Sequence, residues 1–516
     1  MYLTESLHAN RDARPMAAAL VDDMARRSHD ALFDRVARLA AALRALGVAA
    51  NDRIAILALN SVAVVETFHA AWWIGAVICP VNTRWSPAEI ADSLMDAGAV
   101  ALIVDATHAP SIEALRGSLP ALRIVIRIDA GADADACRFE ALIAAHPPAE
   151  DGRFKDAHHA ALLYTGGTTG RAKGVLLSHR NLVAAARCRI AENGLDADGV
   201  CLVTTPLFHV AGLVRVVSHL AAGGCCVLPA QFRPADVLQR IEREGVTDAG
   251  LVPSMLQMVL DDPAFSADRL RPIRRLGYGA APSARALLER LQNIAPWIGL
   301  YQSYGMTESC AIGTLSRPED HRPDGWADGR ATSAGRPSRN TDVRVVDALD
   351  RDVPEGQPGE ILLRGPTVML GYWNRPEETA AALQGGWLHT GDIGTLRADG
   401  YLKVVDRLKD MIITGGENVY SAEVENALQS HPAIAHCGVI GVFDARWGEA
   451  VHAIVTLRPG MHVDEADLRR HCASLLGNYK RPKSFAFLDV MPLTAAGKIN
   501  KQELRSRFDP RRARMP

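Results

Sequence analysis

Leu32, Val36, Leu39, Leu43 and Leu46 recur at steps of four and three residues, and Gly47 follows them. That spacing predicts an amphipathic helix with a glycine stop. Residues 54–59 (IAILAL) and 101–105 (ALIVD) are short apolar runs of the length of a buried strand. Between them Ser86-Pro87-Ala88-Glu89 spells a capping box with proline at the first helical position. Repeated strand–helix–strand units favour a mostly parallel sheet covered by helices.

The pattern then changes. Residues 318–337 are rich in Arg, Asp, Gly and Pro and read as loop. Residues 343–347 (VRVVD) and 360–365 (EILLRG) read as short strands separated by VPEGQPG, which predicts a β-rich subdomain over about 335–408. Beyond it, 411–414 reads as a buried strand, Gly415-Gly416 as a turn, and Ser421 as the cap of a helix with Glu423 and Glu425 in its first turn. The expected fold class is α/β with an α+β C-terminal domain.

The chain has 516 residues, enough for two to four domains at roughly 150 residues each. Lys and Arg number 57 against 59 Asp and Glu, a net charge of −2, so no bulk charge points to nucleic acid or an anionic membrane. Nine cysteines, with no C-x-x-C pair, fit a reducing compartment. The N-terminal residues lack the apolar core of a signal peptide, and the densest apolar run, 70–81, is too short to span a bilayer. A cytoplasmic location without a membrane span is expected.

The most informative segment is Thr165-Gly166-Gly167-Thr168-Thr169-Gly170-Arg171-Ala172-Lys173-Gly174. Glycines let backbone amides approach a ligand closely, while threonine hydroxyls and a lysine add donors and charge, as a polyphosphate requires. It is not a Walker A loop, because the Gly-Lys-Ser/Thr ending is missing. The segment resembles the phosphate loop of the adenylate-forming superfamily of acyl-CoA synthetases, adenylation domains and luciferases, with Ala172 where the family usually has proline.

Further motifs of that superfamily follow in order, over roughly residues 30–505. Tyr304-Gly305-Met306-Thr307-Glu308 resembles the motif whose aromatic ring stacks on adenine, whose Thr meets the α-phosphate and whose Glu holds Mg²⁺. Gly277-Tyr278-Gly279-Ala280-Ala281-Pro282 resembles the loop beside adenine and the acyl group. Asp392, in Thr390-Gly391-Asp392, and Arg407 match ribose contacts, and Lys409 falls at the inter-domain hinge. Gly415 and Gly416 match the passage for the pantetheine arm of CoA. Lys498, in Thr494-Ala495-Ala496-Gly497-Lys498, matches the adenylation lysine.

The resemblance implies a domain of residues 1–408 that binds ATP and acid, and a mobile domain of 409–516. It implies two half-reactions using ATP, Mg²⁺ and coenzyme A. A carboxylate first attacks the α-phosphate to give acyl-AMP and pyrophosphate; a thiol then displaces AMP. Thr165, Thr168, Thr169 and Lys173 would meet the phosphates with the glycines around them. Glu308 would hold the metal, and Thr307, Lys498 and the gating His209 would act at the reacting groups. Trp447, Tyr479, Arg481, Lys483 and Arg84 are the candidate CoA contacts.

His209, Val210, Ala211, Tyr278, Gly279, Ser303, Cys310 and Ala311 would line or flank the acyl pocket. They include no Lys or Arg, which favours a monocarboxylate, aryl or fatty, although Arg215 lies nearby in sequence. The expected partner is a small carboxylic acid, with a homodimer left open. Loading of a separate carrier protein, a luciferase-like monooxygenase and a non-catalytic sensor are the competing classes. The Asp that would hold an amino acid's α-amino group is missing from 208–210.

Overall fold

A computed structural model describes residues 2–128, 137–165, 172–279, 285–494, 499–509 and 511. The fold is α/β. Two compact units form: residues 1–343 with 363–389, and residues 344–362 with 390–516. Among the described residues no helix is long and apolar enough to cross a membrane. All nine cysteines are free thiols.

The expected first helix is His29–Ala45, entered through Ser28, whose side chain accepts from Ala31 N. It buries Leu32, Val36, Leu39 and Leu43, and Gly47 follows at φ +86°, a conformation that favours glycine. The box at Ser86 is complete: Ser86 caps Glu89 N, and the Glu89 carboxylate accepts from Ser86 N at 2.8 Å.

Runs 54–59 and 101–105 become the strands Arg53–Leu57 and Ala101–Val104, parallel neighbours inside an eight-stranded sheet among the described residues. Its other end holds His159–Thr165, Lys173–Ser178 and Gly371–Tyr372. A second sheet, nine-stranded among the described residues, runs through Val200–Leu202, Asp248–Leu251, Arg275–Gly279 and Gly299–Tyr304, which are parallel to one another. Side chains buried from this sheet, among them Leu202, Leu251, Leu276 and Leu300, form one core with the helices Pro234–Glu244 and Arg285–Ile294.

Three local expectations need correction. Residues 318–337 are not plain loop but the short helical turns Pro318–His321, Pro323–Ala327 and Arg330–Thr332. Prolines start the first two, and Asp320 caps Arg317 N at 2.9 Å. Turns of three to five residues show no hydrophobic period to read. The strand Ile412–Thr414 turns Ile413 outward, 51% exposed, so it is buried on one face only.

Ser421, finally, is the first residue of the helix Ser421–Gln429, and Tyr420 holds the cap position. The Ser421 hydroxyl instead donates to the Asp406 carboxylate at 2.8 Å and accepts from Lys501 Nζ at 2.6 Å. Starting the helix at 421 puts Glu425 beyond the first turn, where it pairs with Lys501 at 2.7 Å.

Three buried histidines of the first unit tie its stability to pH. Burial lowers His69 and His219 from 6.5 to about 4, and burial with the neighbouring His158 lowers His179 to about 3. Each must gain a proton to unfold in acid. The stabilisation is therefore complete above pH 6.5 and declines as pH falls toward the folded values, by up to about 1.4 kcal/mol per pH unit for each group. The thermal midpoint is expected to fall steeply between pH 6.5 and 4.5, and less steeply in His179→Asn. A flat profile would contradict this.

Candidate active site

In the first unit the strand Gly299–Tyr304 ends in a tight reversal. Gly305 is required there, because a β-carbon would lie 2.5 Å from the Ala311 carbonyl carbon. A single turn, Thr307–Ser309, follows, with Ser309 Oγ accepting from Met306 N at 3.1 Å. Cys310 and Ala311 then adopt positive φ, 53° and 58°, an uncommon conformation for residues with a β-carbon. This strained reversal sets Thr307 half-buried and Glu308 buried.

Tyr372 holds Glu308 from across the unit. Its hydroxyl donates to Glu308 Oε1 at 2.8 Å, and burial together with the Glu308 charge pushes the phenol pKa up, so it stays a donor. Tyr372 pairs with Val175 on the strand Lys173–Ser178, and Lys173 Nζ lies 5.2 Å from the centre of its ring. Lys173 stands opposite Thr165 at the root of the glycine loop. Lys173 and Glu308 thus meet at one tyrosine, and Thr165 stands beside Lys173 as its register partner. Gly166, Gly167, Thr168, Thr169 and Gly170, between those strands, lie outside the described residues, as do Ala280, Ala281 and Lys498.

The acyl candidates divide by strand alternation. Gly279 pairs with Ser303 in the parallel ladder, and Ser303 Oγ is buried without a hydrogen-bond partner among the described residues. His209 caps the helix Val210–Ala221, with Val210 buried and Ala211 exposed. Tyr278 points to the opposite face, into the core, with its hydroxyl 2.7 Å from His321 Nε2. Its ring therefore packs in the core, and its backbone lies between Gly277 and Gly279 in the strand. Cys310 is fully buried, so it too offers backbone rather than thiol.

The second unit brings Asp392 and Arg407 together as register partners, with Arg407 Nε 3.3 Å from Asp392 Oδ1. Lys409 is exposed; desolvation of its ammonium and the charges of Arg407 and Arg505 lower its pKa from the usual lysine range. Gly415 and Gly416 both have positive φ, and a β-carbon on Gly415 would press within 2.9 Å of the Trp447 ring. Trp447 is 43% exposed, with Arg446 over its face at 4.6 Å. Tyr479 and Lys483 are also exposed, whereas Arg481 donates to Leu476 O and Ala473 O at 2.9 and 3.2 Å. Arg84, in the first unit, is exposed.

Residues 7–373 match the family model of AMP-binding enzymes, and residues 423–498 match that of the AMP-binding enzyme C-terminal domain. The chain belongs to the AMP-binding enzyme family. It is 42% identical over 478 residues to a feruloyl-CoA synthase of Amycolatopsis, covering 92% of this chain and 93% of that one. Two solved relatives carry acyl-adenylates. The o-succinylbenzoate CoA synthetase of Bacillus subtilis, in complex with its OSB-AMP intermediate, has a TM-score of 0.85 at 31% identity, covering 97% of each chain. An anthranilate CoA ligase in complex with anthranoyl-AMP has a TM-score of 0.91 at 28% identity, covering 99% and 98%.

Within this AMP-binding enzyme, Tyr372 is a residue of the candidate site that motif reading misses. It stands in a two-residue strand with no periodic signal, and only the pairing of that strand beside Lys173–Ser178 carries its hydroxyl to Glu308.

Proposed function

We propose that this member of the family is an ATP-dependent acyl-CoA ligase, which activates a monocarboxylic acid as acyl-AMP and passes the acyl group to CoA. The observation that carries this reading is the convergence of Thr165, Lys173 and the Tyr372-held Glu308 at the root of the glycine loop. Such a convergence suits a triphosphate, since the transition state spreads charge over phosphoryl oxygens and catalysis is mainly positioning and electrostatics.

Thr165, Thr168, Thr169, Lys173 and the glycines between them bind the phosphates, and Tyr304 with Gly279, Ala280 and Ala281 frames adenine. Thr307 and Lys498 stabilise the α-phosphate and the attacking carboxylate, and His209 gates the acid. Glu308, a buried carboxylate fixed by a phenol, fits Mg²⁺ as a hard oxygen donor. When bound, the ion neutralises phosphate charge. Arg215 does not stand against a monocarboxylate, because Asp248 already neutralises it at 2.8 Å.

In the thiol step Gly415 and Gly416 make room for pantetheine, with Trp447, Tyr479, Lys483 and Arg84 toward the nucleotide end of CoA. Arg481 plays a lesser part, since two of its donors already hold backbone carbonyls. Lys409 is the hinge between functional domains 1–408 and 409–516, and the enzyme works in the cytoplasm.

Asp392 accepts from the ribose hydroxyls beside Arg407. Asp392→Ala is therefore expected to raise the KM for ATP by about tenfold to a hundredfold, the loss of hydrogen bonds to a charged group. Steady-state kinetics with varied ATP checks this, and an unchanged KM would remove the ribose role.

A panel of aryl and fatty acids with ATP, Mg²⁺ and either CoA or a carrier protein tests the whole reading. AMP and an acyl-CoA are the expected products. Release of ADP, or acylation of the carrier alone, would overturn it.

A further inference from the structure

A buried polar cluster lies between the helix Val210–Ala221 and the sheet, and none of the steps above uses it. Gly250, Gly277 and Tyr301 stand side by side on three adjacent parallel strands. A β-carbon on Gly250 would fall inside contact with the Arg215 guanidinium, and one on Gly277 would lie 2.5 Å from the Tyr301 ring. The two glycines leave a space that Arg215 and Tyr301 fill.

Asp248 pins both. Arg215 donates to Asp248 Oδ1 at 2.8 Å, and the Tyr301 hydroxyl donates to the same oxygen at 3.3 Å while accepting from Arg215 at 3.2 Å. Arg275 donates to Asp248 Oδ2 at 3.1 Å. Cys201, His219 and Asp248 are close enough together to suggest a metal site, but guanidinium groups already occupy both oxygens of Asp248. The cluster is a buried ion-pair network, which Arg189 joins by donating to the Tyr301 hydroxyl at 3.4 Å.

The helix and two of the three strands each set an acyl-pocket candidate just beyond this network. Ala211 precedes Arg215 by one helical turn. Gly279 and Ser303 follow Gly277 and Tyr301 by two residues, on the same face of the sheet. Ala211 is exposed and Ser303 partly so, whereas Arg215 is 8% and Tyr301 2% exposed. The accessible side ends where the network begins.

We propose that Tyr301 and Arg215 form the floor of the acyl pocket and close it to a long alkyl chain, so that the enzyme selects a compact monocarboxylate. This rests on the ligase reading and on its acyl-pocket residues. Tyr301 is the specificity residue; Asp248 is a positioning residue that acts through it.

The test is kcat/KM for acid-dependent AMP formation with 3-phenylpropenoate and with straight-chain acids from butanoate to palmitate. The wild type should fall by about tenfold or more once the chain reaches the floor. Tyr301→Ala should move that break to longer acids, raising the long-to-short ratio about tenfold. Gly277→Ala puts a β-carbon 2.5 Å from the ring, must displace it, and should also move the break.

Palmitate used as well as 3-phenylpropenoate by the wild type would overturn the floor and leave the ligase reading standing. So would an unmoved break in a folded variant. If Tyr301→Ala does not fold, the wild-type profile and Gly277→Ala decide. AMP formation with no acid at all would overturn both readings.

Discussion

Replacing Lys498 with alanine is expected to slow acyl-AMP formation by about a hundredfold to a thousandfold, the range for removing one donor aimed at developing charge. The same variant should convert supplied acyl-AMP and CoA to thioester at close to the wild-type rate. The asymmetry follows from the chemistry of the two steps. Adenylation joins two anions, a carboxylate and a phosphate, and a cation between them offsets their repulsion as the bond forms. Thiol attack on acyl-AMP begins from a mixed anhydride in which that bond already exists. In the proposed cycle the domain beginning at Lys409 turns to present Gly415 and Gly416 in the lysine's place. Single-turnover assays of each half-reaction check this, and equal loss of both would contradict the division of labour.

Glu308→Gln is expected to produce the second large loss, about a hundredfold in adenylation, with a higher Mg²⁺ concentration needed for half-maximal rate. The substitution keeps the shape of the side chain, and the Tyr372 hydroxyl can still donate to the amide oxygen, so the fold should survive. What goes is the negative charge. Tyr372→Phe makes the complementary change, leaving the charge but removing a hydrogen bond of 2.8 Å from a buried carboxylate. Its loss should be near tenfold. Rates measured across a Mg²⁺ titration separate the two. An unaltered Mg²⁺ requirement in Glu308→Gln would show that this carboxylate serves only the fold.

The helix His29–Ala45 and the box at Ser86 were readable because their signals are local: a periodic apolar face in one, four consecutive residues in the other. Ser421 deceived for the same reason. Serine before a helix is an ordinary cap, and only the approach of Asp406 and Lys501, distant in sequence, claims its hydroxyl. Thr165, Lys173, Thr307 and Glu308 were legible as motif members, but the tyrosine that touches both Lys173 and Glu308 was not. The direction of the Tyr278 ring was set by alternation: next to Gly277 and Gly279 in sequence, it faces the other side of the strand, where His321 meets its hydroxyl. Arg215 was legible as a charge near the pocket, yet its neutralisation depends on Asp248, thirty-three positions away.

In this enzyme activation precedes the thiol step and is expected not to require CoA. Exchange of labelled pyrophosphate into ATP, measured without CoA, tests it most directly. Exchange is expected to depend on the carboxylic acid and on Mg²⁺ and to collapse in Lys498→Ala, with acyl-AMP recoverable from the enzyme and converted to thioester when CoA is added. Exchange that appears only once CoA is present, or that proceeds without any acid, would contradict it.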